Sequence, residues 1–398
     1  MKKRWRMIAM LLSISLMTCA CTNTTEEKEP VSQEAEVPEG DGTEKEDSET
    51  EDFQGKLSEV VPSAYNNAEG LALEPGTYIS IVGKANNNDF WKEVIAGVEQ
   101  AEMDINAELG YEGNDKVKVT FSSPEEADNV DEQVSILDEE LARYPIALGI
   151  SIADVQACEV QFDIALENNI PIVAYDSGSG YEGIQSMVST DNKAAGVLAA
   201  NQMADMIDEN GDIIMFVHES DSEAAVARRQ SFRKEIKQKY EDISIVKIVN
   251  WDKIDELKEE ILEAVQSGKY ELELEEMDAD HISQEQIVDY ILAKYPKVKG
   301  CYATNSMTTQ LFVDGLERKE MTNVSVIGYD AGEEQLQALR DGKVDGLIVQ
   351  NPFGMGYAAV IACARAGLSI GNEAFVNTGY TWVTKENMET EEVQKMLY

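Results

Sequence analysis

Histidine is nearly absent from this 398-residue chain: His218 and His281 are the only two, and neither sits in an HxH or HxxxH arrangement. No transition-metal site is expected from so few ligands, and no cofactor. Cysteine is scarce as well. Cys158, Cys301 and Cys363 are isolated in apolar stretches with no paired spacing, so they read as small buried hydrophobes rather than a disulfide frame or zinc site. Basic residues are outnumbered, 33 Lys and Arg against 76 Asp and Glu, which argues against nucleic acid as a partner. The excess acid reads as surface solubility and identifies no ligand. Enzyme signatures are also missing: there is no GxxxxGK[ST] loop, no nucleophile elbow and no His close in sequence to a reactive Ser or Cys.

Long apolar runs are lacking too. Lys2, Lys3, Arg4 and Arg6 precede an apolar stretch from Met7 to Met17, too short to span a bilayer as a stable helix. Cysteines follow at Cys19 and Cys21, then a charged segment, the pattern of a secretory signal (1–21) ending in a lipoprotein cleavage site. Cys19 has Leu16 three residues before it but bulky Thr18 directly before it. Cys21 has small Ala20 there and is preferred as the lipidated residue, with Cys19 the alternative. The expectation is a protein outside the cytoplasm, anchored at the cell membrane surface by an N-terminal lipid rather than spanning it. Residues 22–74 are expected to form an acidic, disordered tether. From Thr22 to about Glu59 the chain is dense in Glu and Asp, poor in aromatics and interrupted by Pro30, Pro38, Gly40 and Gly42. Such a stretch cannot bury enough apolar surface to offset its chain entropy.

What is present is concentrated in Tyr78–Gly97, YISIVGKANNNDFWKEVIAG. An apolar run ends at Gly83, three asparagines follow, and Asp89 opens an apolar-periodic helix. That is a strand, a loop and a helix start, the place where open α/β sheets bind ligands. Phe90 and Trp91 stand beside a run of amides, a combination that suits a small polyhydroxylated ligand: C–H faces stack while hydroxyls hydrogen-bond.

From about Pro75 onward short β-rich runs alternate with helical patterns. Strands are expected at Tyr78–Val82, Val117–Phe121, Ala147–Ser151, Pro171–Tyr175, Ile213–Val217, Ile243–Val249, Cys301–Thr304, Val324–Gly328 and Leu347–Gln350. The alternation predicts α/β architecture with parallel βαβ units, and roughly 320 residues is too much for one core, so two Rossmann-like lobes with parallel sheets and an interlobe cleft are expected. Several strands end in a polar residue: Asn88 beyond Val82, Ser151, Asp176 and Ser177, Asn305, Asp330 and Gln350. Carboxyl ends of parallel strands share one sheet edge, so these residues can line one cleft. Each taken alone is equally a helix cap or turn residue.

Seven ordered motifs then match a family: NNDFWKEVIAG (Asn87–Gly97), IPIVAYDSG (Ile170–Gly178), VSTDNKAAG (Val188–Gly196), ARRQSF (Ala227–Phe232), CYATN (Cys301–Asn305), VIGYDA (Val326–Ala331) and IVQNP (Ile348–Pro352). From about Pro75 to its end the chain resembles the type 1 periplasmic sugar-binding proteins, the ribose-, galactose- and xylose-binding receptors of ABC importers. The resemblance implies that Asn88 hydrogen-bonds a sugar hydroxyl, Phe90 and Trp91 cover one sugar face, Asp176 accepts hydroxyl protons and Arg228 donates to ring or anomeric oxygens. It implies that Asn305, Asp330 and Gln350 close the site from the other side, and it places Trp251 where a second stacking aromatic often stands; as a residue after a strand, Trp251 reads equally as buried core. Ser151 and Ser177 stand where ribose-type members often carry Asn and Arg, which enlarges the site or moves the ligand.

The implied organisation is an N-terminal lobe of 75–189 and 351–379 and a C-terminal lobe of 190–350 and 380–398, with a last strand expected near Tyr380–Val383. Thr190–Asp191, Gln350–Asn351 and the stretch near Gly379 would be hinges. The implied function is an extracytoplasmic solute-binding lipoprotein, a monomer without cofactor, that binds a monosaccharide or close analogue and meets ABC permease subunits. A sensor handing the closed state to a signalling partner is the alternative. A glycosidase using Asp176 and Asp330 as its two carboxylates is the enzymatic rival. The ELELEEMDAD stretch within 268–283 reads as a solvated acidic insertion.

Overall fold

A computed structural model describes residues 53–127, 129–274 and 276–398. The signal, the lipidation positions Cys19 and Cys21, and the tether up to residue 52 lie outside the described residues.

The run YISIV forms β1 (Tyr78–Val82), buried at four of five positions. It pairs in parallel with β2 (Lys118–Ser122) and β3 (Leu148–Ile150). With β4 (Ile172–Tyr175), β5 (Ile184–Ser189) and β11 (Phe375–Asn377) these make a parallel sheet of order β11-β5-β4-β3-β1-β2. A second sheet combines β6 (Gly211–Val217), β7 (Ile243–Asn250), β8 (Val298–Ala303), β9 (Ser325–Tyr329), β10 (Gly346–Gln350) and β12 (Tyr380–Val383) in the order β12-β10-β9-β8-β6-β7. Only β12 is antiparallel to its neighbour. Helices cover both sheets, so the central strands are continuous apolar runs without alternation. The two-sheet α/β reading of the sequence holds, and each sheet places its fourth strand in chain order, β4 or β9, third from one edge.

The chain passes between the sheets after β5, after β10 and between β11 and β12. The three crossings lie side by side: the Thr190 hydroxyl donates to Gln350 Oε1 at 3.2 Å and to the Gly379 carbonyl at 3.5 Å.

The expected tether needs a correction. Residues 53–74 are packed chain. Leu57, Val60, Tyr65, Leu71 and Leu73 join the core of the first sheet. Phe53 stacks on Phe353 with centroids 4.7 Å apart, and Lys56 reaches Glu93 at 2.7 Å. Asn351 Nδ2 donates to the Lys56 carbonyl, and Val61 bridges Asn377. The acidic density that argued for disorder thins at Asp52, and apolar residues then recur often enough to offset ordering.

Two elements had no counterpart among the expected strands. β5 carries polar residues between its apolar ones and shifts register against β4, and β11 is three residues long. The Pro352–Gly367 helix is buried nearly all round, so no polar face marks it in the sequence. It lies on the Asp89–Leu109 helix through Gly97 and Gly356. A Cβ on Gly97 would stand 2.0 Å from the Phe353 carbonyl oxygen, and one on Gly356 2.0 Å from that of Val94.

The acidic insertion is half docked. Tyr270, Leu272 and Leu274 lean on the second-sheet core, while Glu271 and Glu273 face solvent.

Candidate functional site

The carboxyl ends of β1, β4, β6, β8, β9 and β10 face one another across a cavity of about 100 Å³. Nine of the eleven residues expected at a site line it: Asn88, Phe90, Trp91, Asp176 and Ser177 from the first lobe, and Arg228, Asn305, Asp330 and Gln350 from the second.

Asn88 is the N-cap of the Asp89–Leu109 helix, its Oδ1 accepting from the Trp91 amide at 3.0 Å. Asn305 likewise caps Ser306–Arg318, accepting from the Thr308 amide at 2.9 Å and the Thr308 hydroxyl at 2.8 Å. Both residues are therefore helix caps that also line the cavity. Each oxygen completes a helix start, which leaves the amide NH2 as the group to offer a ligand. Trp91 is buried between Phe90, whose ring meets it edge-on at 5.4 Å, and Tyr175, edge-on at 6.3 Å.

Asp176 and Asp330 hold corresponding places at the ends of β4 and β9. Both have left-handed backbones, φ 55° and 73°. Non-glycine residues held there store strain that the surrounding fold must offset, a feature that gathers at functional sites. Asp176 Oδ2 accepts from the Ser151 hydroxyl at 2.8 Å. Asp330 is enclosed, accepting from Gln350 Nε2 at 2.8 Å and from the Ser306 amide at 3.2 Å. Burial pushes its carboxyl up, against the pull of Arg228.

Arg228 is 2% exposed and acts as a structural hub. Its guanidinium donates to Asn192 Oδ1 and the Thr304 carbonyl, each at 2.7 Å, and to Gln350 Oε1. It also stacks on the Tyr329 ring at 4.2 Å. The Ser177 hydroxyl is buried, on the cavity wall, and has no hydrogen-bond partner.

Two expected residues are elsewhere. Ser151 is fully buried behind Asp176 and orients that carboxylate instead of lining the cavity. Trp251 packs against Phe216 in the second-lobe core, 6.0 Å between centroids, because the 3-10 turn after β7 directs it inward.

Three charged or titratable groups were missed. Lys84, two residues past β1, forms an ion pair with Glu219, two residues past β6, at 3.1 and 3.2 Å across the lobes. His218 meets Thr304 Oγ1 through Nδ1 at 2.7 Å. The rule that picked out the other strand ends would have found His218 and Glu219 had it been applied after β6, whereas Lys84 stands in the loop after β1. Burial alone would raise the Glu219 carboxyl, but Lys84, His218 and the Ser222 hydroxyl together outweigh it and bring the group to about 2. Burial pushes His218 down to about 3, with Arg228 and Lys84 adding to the effect and Glu219 opposing it.

His218 supplies a pH test. The unfolded chain takes a proton there below about 6.5, the folded chain only near 3. Stability present at neutral pH is thus lost as pH falls from about 6.5 toward 3, about 2 kcal/mol by pH 5. The melting temperature of the wild type should drop more between pH 7 and 5 than that of His218→Asn. Equal drops would remove His218 from the acid response.

Among the described residues no three His, Cys, Asp or Glu side chains gather as a metal site, and no helix is long and apolar enough to cross a membrane. Cys158, Cys301 and Cys363 are buried free thiols.

The comparisons with known proteins point to one family and one fold. The model of a periplasmic binding protein domain matches residues 79–368. The ribose import binding protein of Escherichia coli (strain K12) is 23% identical over 305 residues, 76% of this chain and 88% of that protein. Among solved structures, a carbohydrate transporter solute binding protein from Agrobacterium radiobacter in complex with D-arabinose aligns with a TM-score of 0.66 and 24% identity, covering 81% of this chain and 99% of that one. An ABC transporter solute binding protein from Agrobacterium vitis with bound D-fucose gives 0.66 and 23%, covering 81% and 100%. At these identities the solved structures show a shared fold.

Proposed function

We propose, for a chain that belongs to the periplasmic binding protein domain family, that the interlobe cavity binds a monosaccharide or close analogue and that the closed form delivers it to the permease subunits of an ABC importer. The family is one of binding proteins, and the chain is not an enzyme.

One observation carries the reading. Aromatic faces from Phe90 and Trp91, an oriented carboxylate at Asp176 and an unpartnered Ser177 hydroxyl converge with donors from Asn88 and Asn305 on one small cavity. Hydroxyls of a sugar both donate and accept, and this set offers both roles beside flat apolar surface. The sugar names attached to the relatives support the same class.

Closure follows from the cleft drawing on both lobes, because only the closed form makes both sets of contacts. The crossings at Thr190–Asp191, Gln350–Asn351 and Gly379 are the hinges of this reading, with lobes of 75–189 and 351–379, and of 190–350 and 380–398. In the cell the protein would work outside the cytoplasm as a monomer, held to the membrane by lipid on Cys21 or Cys19.

A thermal-shift screen over D-ribose, D-arabinose, D-fucose, D-galactose and common cyclitols tests the ligand class. At least one should raise the melting temperature and change Trp91 fluorescence, and Asp176→Ala should remove the shift. A panel that produces neither change overturns the sugar reading.

A further inference from the structure

The cavity does not end at the sugar-sized space. Asn88, Phe90, Ser306 and Asp330 form a shared wall, and on its far side lies a second cavity of about 590 Å³, also bounded by both lobes. Nothing in the proposed monosaccharide site uses this larger space.

Its chemistry is specific. Met307, Leu311 and Phe90 supply apolar surface, and Asn87, Gln284 and Gln335 supply amides. One polar atom on the wall, Gln310 Oε1, is buried without a hydrogen-bond partner, its amide nitrogen being directed to Asp314 at 2.7 Å. The Tyr398 hydroxyl beside it lies against the Asp330 carboxylate. A buried polar atom costs free energy when unpaired, so Gln310 marks a place where a hydroxyl-bearing group can be accommodated at a gain. The charged side chains lining the space, Asp89, Asp314, Glu333 and Glu334 beside Asp330, are all acidic. A phosphate or carboxylate there would be repelled at close range.

We infer that this annex is a second subsite, and that the ligand is a sugar bearing a neutral second ring, a disaccharide or glycoside, with one ring enclosed beside Trp91 and Asp176 and the other lying against Gln310 and Tyr398. The inference rests on the sugar reading given above. Gln310 Oε1 accepts a proton from a hydroxyl of the outer ring, and Met307 and Leu311 contact its C–H face. The inner cavity sets which sugar is recognised; the annex sets what may be attached to it.

Isothermal titration with two sets of probes separates the outcomes. The first set is D-ribose, D-arabinose, D-fucose and D-galactose. The second is the p-nitrophenyl glycosides and homodisaccharides of the same sugars. For whichever sugar binds, a member of the second set should bind at least about tenfold more tightly than the free sugar. Gln310→Trp, which fills the annex from a partly exposed helix position, should abolish that advantage while leaving the free sugar within about twofold. If free sugars bind and every second-set compound binds equally or more weakly, the annex is not a subsite and the sugar reading stands. An equal effect of Gln310→Trp on both sets also overturns the inference. If neither set binds, the sugar reading fails and the annex with it.

Discussion

Replacing Arg228 with methionine is expected to lower the unfolding free energy by about 3–5 kcal/mol, the cost of removing one member of a buried charged network. The side chain is nearly inaccessible, and its three hydrogen bonds go to Asn192, Thr304 and Gln350, drawn from three different segments of the second lobe. Without it Asn192 and the Thr304 carbonyl lose this donor, and Gln350 Oε1 keeps only the Thr190 hydroxyl. Asp330, whose carboxyl burial already pushes up, also loses the nearest opposing charge. Arg228→Lys should recover little, because an ammonium cannot hold a planar fork across three acceptors or stack on Tyr329. A partial rescue is expected from Asp330→Asn in the methionine background, since it removes the charge left uncompensated. Urea unfolding followed by circular dichroism measures all three. A loss below about 1 kcal/mol in Arg228→Met would show that water replaces the guanidinium and would end its description as a hub.

The second large effect is steric. Gly356→Ala is expected to cost about 3 kcal/mol, at the upper end of the range for overpacking. An added Cβ would meet the Val94 carbonyl oxygen at 2.0 Å and the Val98 amide at 3.1 Å, and backbone cannot rotate away as a side chain can. Gly97→Ala should cost a similar amount by meeting Phe353 in the same way. The two contacts are reciprocal, each glycine lying against the other helix's main chain. One separation of the helices relieves both, so the double variant should lose clearly less than the sum of the singles. Additive losses would mean that the two sites relax independently. The same displacement would carry the start of the Asp89–Leu109 helix, and with it Asn88 and Trp91, away from the cavity.

Much of this was legible because parallel strands write themselves as uninterrupted apolar runs, and because their ends recur on one edge. Tyr78–Val82 followed by Asn88, Phe90 and Trp91 is such a case, and Asp176 and Asp330 are another. What was not legible depended on distant partners. β11 is too short to carry a pattern and exists because β5 is there to pair with. Ser151 could be read as a wall residue, but its hydroxyl is used up by Asp176 one strand away. Trp251 turned inward because Phe216 offers it an apolar neighbour. The Lys84–Glu219 pair joins residues 135 apart, and neither strand end reveals its partner. Residues 53–74 were assigned by the composition of a window whose acidic half outweighed Leu57, Val60 and Tyr65.

That packed leader has a mechanical consequence. Its residues 56–61 are pinned to Asn351 and Asn377, beside the places where the chain passes from one lobe to the other. For a rotation about those crossings, a point next to the axis has a short lever arm and a point at the lobe tips a long one. A swing that opens the mouth widely therefore displaces Phe53 very little.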